Sequence, residues 1–189
     1  MPGFKFQEGS GIPVVWIGKE PEDIPVSNPI LFVYDFDWDS CLSPWPSQKV
    51  FKKGNDFAGN ADTFLDELKV HLPQKSILAG YSLAGLFALY AATKENCFAG
   101  VLCASGSLWY PGWIDWLKAH PVQAEAVYLS LGDTEKNSRN PVLASVEDKT
   151  LETQQYLSMT HTFVKEPGSH FADDTPRVVH GIQWLSSVL

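Results

Sequence analysis

The stretch that decides the fold is "ILAGYSLAGLFALYA", residues 77–91, in which one apolar run gives way to another at a single serine. The first run is short and typical of a buried strand, whereas the second, rich in Leu, Ala and Phe, is typical of a helix. No residues remain for an ordinary loop, so Ser82 must lie on the bend itself. Such a bend strains its central residue and needs small residues two positions before and after it. Gly80 and Ala84 meet this requirement.

A serine on such a bend is a candidate nucleophile. The turn exposes its hydroxyl above the carboxyl edge of the sheet, where the N–H of Leu83, at the positive end of the next helix, can stabilise an oxyanion. A Gly-x-Ser-x-Ala string is short and also occurs by chance. The interpretation therefore depends on a base and an acid at the same edge.

Around this stretch, short apolar runs alternate with segments of helical period, which predicts an α/β fold. We expect a mostly parallel sheet of about six strands with helices on both faces. Strands are predicted at 12–18, 29–36, 76–81, 99–105, 125–132 and 161–166. Helices are predicted after an N-cap at Asn60, from residue 83, over 141–158 and after Thr175-Pro176, with a long loop at 37–59. The chain, 1–189, is interpreted as a single domain.

Charge and composition exclude several classes of partner. The net charge is −8 and no Lys/Arg cluster occurs, which argues against nucleic acid and anionic membranes. Neither a signal-peptide pattern nor a long apolar run is found, so a cytoplasmic location is expected. The three cysteines lack the spacing of a metal site or a redox pair, which favours reduced thiols and predicts no metal or other cofactor: Cys41, Cys97 and Cys103.

One of the five histidines is placed to act as a general base. His170 lies in "EPGSHFADD", residues 166–174, between the last predicted strand and the last helix. In a doubly wound sheet that loop opens at the same edge as Ser82. The other four have structural explanations at helix ends, at a strand start or on an exposed helix face: His71, His120, His161 and His180.

The acid of such a site should follow the preceding strand, where it can orient the imidazole. The segment "YLSLGDTEKNSRN", residues 128–140, offers Asp133 and Glu135, and the residues alone leave both open. The chain order of serine, acid and histidine is that of α/β-hydrolases and differs from the chymotrypsin and subtilisin orders.

The segments "AGYSLAGLFALYA", "LSLGDTEKNSRNPV", "GSHF" and "DWDSCLSPWP" together resemble the esterase branch of the α/β-hydrolases, the group of esterase D and the enterochelin and salmochelin esterases. The likeness runs from about residue 12 to the C-terminus. It implies a compact α/β-hydrolase fold and a serine hydrolase that cleaves an ester of a small soluble substrate through an acyl-enzyme. Most relatives have glycine where this chain has Ala84, and the chain is shorter, which implies that the N-terminal hairpin of the family is missing.

The resemblance also implies roles for individual residues. Relatives follow the acid strand with Gly-x-x-Asp/Glu, which favours Glu135 as the acid and leaves Asp133 as the alternative. The second oxyanion N–H maps onto Gly18 or Lys19, without a decision between them. Candidates for the substrate rim are Trp38, Asp39, Trp45, Tyr81 and Trp109, with Tyr110 and Trp113 as further aromatic edge residues. Only about twenty residues separate Ser105 from the next strand, so no cap domain is expected.

Two other functions use the same residues differently. An acyltransferase would pass the acyl group to a bound alcohol instead of water, whereas a catalytically silent binding protein would keep only the fold. The silent protein is disfavoured because all three polar positions are filled. The physiological substrate and the oligomeric state do not follow from the sequence.

Overall fold

The computed structural model describes residues 1–51, 54–73 and 75–189 and confirms the predicted α/β fold. Within these residues the strands are β1 (Gly3–Gln7), β2 (Val14–Ile17), β3 (Ile30–Tyr34), β4 (Pro46–Ser47), β5 (Phe57–Ala58), β6 (Ser76–Tyr81), β7 (Phe98–Ala104), β8 (Ala126–Gly132) and β9 (Thr160–Glu166). The α-helices are α1 (Trp38–Cys41), α2 (Ala61–Lys69), α3 (Leu83–Lys94), α4 (Trp113–Ala119), α5 (Pro141–Ala144), α6 (Val146–Gln155) and α7 (Thr175–Val188). A short 3₁₀ helix spans Glu135–Asn137.

Seven strands form the main sheet, in the order β1-β3-β2-β6-β7-β8-β9. All neighbours are parallel except β1, which pairs antiparallel with β3. The sheet has one strand more than the six that the sequence predicted, and that strand lies where the N-terminal hairpin was expected to be missing. As an edge strand, β1 buries none of its residues fully, so it lacks the apolar run by which the inner strands were recognised.

Helices cover both faces of this sheet, as predicted. On one face α3 packs against β6 and β7 and is itself covered by α2, so that it is buried from Leu83 to Thr93. On the other face α7 packs its stripe of Val178, Ile182 and Leu185 against β7 and β8. Each fully buried side chain of this kind contributes about 1.5–3 kcal/mol. The sheet is therefore a rigid support for the loops at its edge.

Three local predictions differ from the structure. The helix expected over 141–158 is divided at Ser145 into α5 and α6. Asn60 does not cap α2 with its side chain, because that amide donates to Ser40 Oγ at 2.7 Å instead. The long loop at 37–59 contains α1 and the two-stranded pair of β4 and β5, and its positions 52 and 53 lie outside the described residues.

The parallel strands bring six connections to one edge of the sheet, after β2, β3, β6, β7, β8 and β9. The connection between β7 and β8 carries only α4, which packs against α6, and in the described part of the chain no cap domain covers this edge. No helix among the described residues has the length and apolar character needed to cross a bilayer.

Candidate active site

Ser82 has a strained backbone at the junction of β6 and α3. Its φ of 60° and ψ of −121° are unusual for a residue with a side chain, and such a conformation costs on the order of 1–3 kcal/mol. The surrounding structure enforces it: the Ser82 N–H donates to Ala104 O at 3.0 Å, and the Ser82 carbonyl accepts from the N–H groups of Gly85 and Ser107. The bend predicted from the sequence is present.

The turn needs more than the small residue that the sequence predicted at position 80, because only glycine fits there. A Cβ atom on Gly80 would lie 2.5 Å from the backbone carbonyl carbon of Ala84 and 2.7 Å from its Cβ, which is closer than atoms can pack. The alanine at position 84 fits because Gly80 opposite it has no side chain.

A chain of hydrogen bonds joins Ser82, His170 and Glu135. His170 Nε2 lies 3.0 Å from Ser82 Oγ, and His170 Nδ1 lies 2.8 Å from Glu135 Oε2. The carboxylate accepts the proton of Nδ1, so we assign the tautomer in which Nε2 has the free lone pair and faces the serine hydroxyl. In this tautomer the imidazole can accept a proton from Ser82.

Glu135 is a buried carboxylate with a full set of hydrogen-bond donors. Besides His170, the N–H of Gly132 donates to Oε1 at 2.8 Å and the hydroxyl of Ser105 donates to it at 2.7 Å. Burial alone raises the pKa of Glu135, but the hydrogen bonds from His170, Ser105 and Gly132 outweigh it and hold this pKa below its ordinary value. The carboxyl group is therefore ionised at neutral pH and can orient the imidazole.

Asp133, the alternative acid, lies elsewhere. Its Oδ1 accepts from the N–H of Gly168 at 2.9 Å, and no hydrogen bond to His170 occurs among the described residues. The Gly168 bond ties the loop of His170 to the end of β8. Of the two acids that the sequence left open, the structure brings Glu135 to the imidazole and gives Asp133 a role in holding the loop.

The candidate oxyanion donors differ in what their N–H groups already bind. Leu83 is the first residue of α3, so its N–H has no acceptor within the helix. The Gly18 N–H donates to Val33 O at 3.1 Å and is committed to the sheet, which contradicts Gly18 as a donor. The Lys19 N–H has no protein acceptor in the described ranges. Leu83 and Lys19 are the remaining pair.

Two cavities meet at Ser82 and His170. The smaller, of about 240 Å³, is mostly apolar, and its walls include Trp109, Leu143 and Val146. The larger, of about 790 Å³, is more polar, and the residues that line it include Trp16, Gly18, Lys19, Glu22, Trp38, Asp39, Tyr81 and Asp174. Both cavities are bordered by Phe51 and by Phe171, whose side chain is 85% exposed.

The predicted rim residues divide between these cavities, with Trp45 in neither. Trp38, Asp39 and Tyr81 line the larger cavity, and Trp109 lines the smaller one. Trp45 was wrongly predicted as a rim residue: its Nε1 donates to Pro111 O at 2.8 Å and its ring packs against other aromatic rings. Two other expected edge residues are instead buried in the core, Tyr110 and Trp113.

Three polar residues of the site were not predicted from the sequence. Ser107 Oγ lies 3.4 Å from Ser82 Oγ, and Ser105 binds Glu135. Arg177, on α7, is almost fully buried and hydrogen-bonds both Ser105 and Glu135. The sequence carried no clear signal for it, because adjacent helix residues point in different directions and Arg177 therefore does not lie on the stripe of Val178 and Ile182. The described residues contain no group of three or more metal-ligating side chains.

Comparison with known proteins identifies the fold. No protein-family model and no curated protein matches the chain. Among solved structures, the chain is similar to an IroE-like serine hydrolase from Shewanella oneidensis (TM-score 0.73, 17% identity, 98% of this chain and 76% of that chain). It is also similar to the siderophore hydrolase EstB from Aspergillus nidulans (0.71, 15%, 95% and 84%). A third is MGS-MChE2, an alpha/beta hydrolase enzyme from a sediment metagenome of the Mar Chica lagoon, Morocco (0.59, 16%, 98% and 94%). With its strained serine turn between β6 and α3 and its mostly parallel sheet, the chain has the α/β-hydrolase fold.

Proposed function

We propose that the protein is a serine esterase that cleaves a carboxylic ester of a small substrate through an acyl-enzyme. The observation that carries the proposal is the unbroken hydrogen-bond chain from Ser82 Oγ through His170 to the buried carboxylate of Glu135. A serine hydroxyl is a weak nucleophile, and an adjacent base that is itself oriented by an acid is the arrangement that activates it. The likeness of the fold to serine hydrolases supports the same reaction class.

In the proposed reaction, Ser82 Oγ attacks the ester carbonyl carbon while His170 Nε2 takes the serine proton. The oxyanion that forms accepts hydrogen bonds from the N–H groups of Leu83 and Lys19. As the tetrahedral intermediate collapses, the bond to the alcohol breaks and the alcohol leaves with the proton from Nε2. Water then attacks the acyl carbon while Nε2 takes its proton, the bond between the acyl carbon and Ser82 Oγ breaks, Oγ regains the proton from Nε2, and the carboxylic acid leaves. Glu135 stays ionised throughout, and neither a metal nor an organic cofactor is needed for these steps.

The two cavities suggest where the two parts of the substrate bind. We propose that its apolar part occupies the small cavity beside Trp109 and that its polar part extends into the larger one. The solved structures of similar fold include a siderophore hydrolase, which makes a soluble ester with a large polar portion one candidate. Acyl transfer uses the same residues, but an acyl-enzyme at an uncapped edge is open to water, which favours hydrolysis.

Short-chain and aromatic esters should be preferred over long-chain ones. The small cavity has limited volume, and because no cap domain covers Ser82 in the described ranges, no lipid interface is needed to open the site. We expect kcat/KM to fall steadily from butyrate to laurate esters of one chromogenic alcohol, with simple saturation kinetics. Initial rates across the solubility limit of each ester test this. A jump in rate on a triglyceride emulsion would contradict the open site.

The proposal is tested by labelling the protein with a fluorophosphonate, which reacts only with an activated serine. We expect one adduct per chain, located on Ser82 by peptide mass spectrometry. Ser107→Ala is the matched control, because Ser107 carries the hydroxyl beside Ser82 and its removal should leave the adduct in place. Product analysis of an ester with and without an added alcohol then separates hydrolysis from transfer. Failure of the wild-type protein to label would exclude a serine hydrolase.

A further inference from the structure

We infer that Arg177 is a positioning residue, which holds the acid Glu135 and the loop of His170 in register with Ser82. The inference rests on the proposed function, because it concerns how the same site is assembled. It begins from an unusual observation, a guanidinium group in the interior of the protein: Arg177 is 1% exposed. A buried charge is strongly unfavourable unless it is paired and hydrogen-bonded.

One terminal nitrogen of Arg177 fixes the position of the Glu135 carboxylate. Its Nη1 donates to Glu135 Oε1 at 3.2 Å and to Ser105 Oγ at 2.9 Å, and Ser105 in turn donates to the same Oε1. With the Gly132 N–H, three donors therefore fix Oε1. Only Oε2 is left for His170, so the carboxylate cannot rotate away from the imidazole.

The other terminal nitrogen of Arg177 fixes the position of the loop that carries His170. Arg177 Nη2 donates to the carbonyls of Pro167 and Ser169, each at 3.0 Å, and these residues lie in the loop that carries His170. Nη1 also donates to Tyr81 OH at 2.9 Å, and Tyr81 OH donates to the His170 carbonyl at 2.8 Å. Burial raises the pKa of Tyr81 to about 12, so the phenol keeps the proton that it donates.

The surroundings fit a guanidinium group. The planar fork of arginine reaches the acid and the loop carbonyls together, whereas the single ammonium of lysine is a point charge and cannot span both. A Cβ atom on Gly132 would lie 2.8 Å from Arg177 Nη2 and 2.3 Å from Gly168 O. Position 132 therefore has no room for a side chain beside the guanidinium.

Arg177 lines neither cavity, which separates positioning from substrate binding. We therefore expect Arg177→Met to lower kcat about 100-fold, the size of effect that a misplaced catalytic group produces, with KM changed less than about threefold. Arg177→Lys keeps the charge without the fork and should recover part of the loss. Arg139→Met is the matched control, since Arg139 is exposed and should leave kcat unchanged.

A double-mutant cycle distinguishes positioning from a general structural role. If Arg177 acts by positioning Glu135 and His170, Arg177→Met should cost less than about threefold in kcat when Glu135 is already glutamine. In that background His170 has the wrong tautomer to act as a base, so its exact position no longer matters and the two losses are not additive. An equal loss in both backgrounds, or a loss confined to KM, would overturn the inference. Circular dichroism verifies that each variant folds. If Arg177→Met does not fold, Arg177→Lys replaces it in the double-mutant cycle. Wild-type protein that labels with fluorophosphonate while all Arg177 variants turn over normally would refute this inference and leave the proposed function intact.

Discussion

Ser82→Ala is expected to reduce ester hydrolysis by on the order of 10⁶-fold in kcat. The reason is chemical: Ser82 Oγ is the only hydroxyl within 3.0 Å of His170 Nε2 among the described contacts, and alanine leaves the imidazole with nothing to deprotonate. The fold should be unaffected, because the bend is held by backbone hydrogen bonds that alanine also makes. Steady-state hydrolysis of an activated ester and thermal unfolding measure the two quantities.

Ser107→Ala serves as the comparison for this result. Ser107 lies next to Ser82 but makes no contact with the imidazole in the described structure, so we expect its loss to change kcat less than about tenfold. If Ser82→Ala kept ordinary turnover while Ser107→Ala lost it, the nucleophile would be Ser107 and our assignment of the bend would be wrong.

The second large effect is expected at the acid, where Glu135→Gln should lower kcat by about 10⁴-fold. An amide can donate its own hydrogen bond to His170 Nδ1, which selects the tautomer with the proton on Nε2 and removes the lone pair that Ser82 needs. The buried negative charge that would stabilise the imidazolium is also lost. Hydrolysis rates measured over a range of pH, at saturating ester, test this prediction.

Asp133→Asn is the matched control for the acid, since it makes the same carboxylate-to-amide change two residues away. Among the described residues, the Asp133 carboxylate accepts a hydrogen bond from the Gly168 N–H, and an asparagine oxygen can accept the same bond, so we expect less than about a fivefold change in kcat. A crippled Asp133→Asn variant beside a mildly affected Glu135→Gln variant would reverse the assignment of the acid.

Features of the site that depend on neighbouring residues in the chain could be predicted from the sequence. Ser82 could be recognised because a strand meets a helix there without a loop, and Gly80 because such a turn leaves no space for a side chain. His170 could be placed because parallel strands bring their following loops to one edge. The two acids could not be separated by chain position, since both follow β8 within three residues and only the path of the 3₁₀ helix decides which one faces the imidazole.

Features that depend on residues far apart in the chain could not be predicted from the sequence. Strand β1 is recognised only by its pairing with β3, and its mixed residues carry no apolar run. Trp45 has the composition of a rim residue, yet the carbonyl of Pro111 holds it away from the site. The sequence also could not show that a buried arginine near the C-terminus would meet an acid 42 residues earlier in the chain.

The backbone pairing of Ser82 divides the site into parts of different local stability. The Ser82 N–H is bound to Ala104 of β7, and its carbonyl is bound to N–H groups of α3 and to that of Ser107. We therefore expect Ser82 to belong to the same cooperative unit as the central sheet. His170 lies instead on a surface loop, which can open at a much smaller free-energy cost. Brief excursions of this loop would separate base from nucleophile while the rest of the molecule stays native. We therefore expect the proposed activity to be lost reversibly well short of denaturation, at a frequency that depends on the hydrogen bonds to that loop.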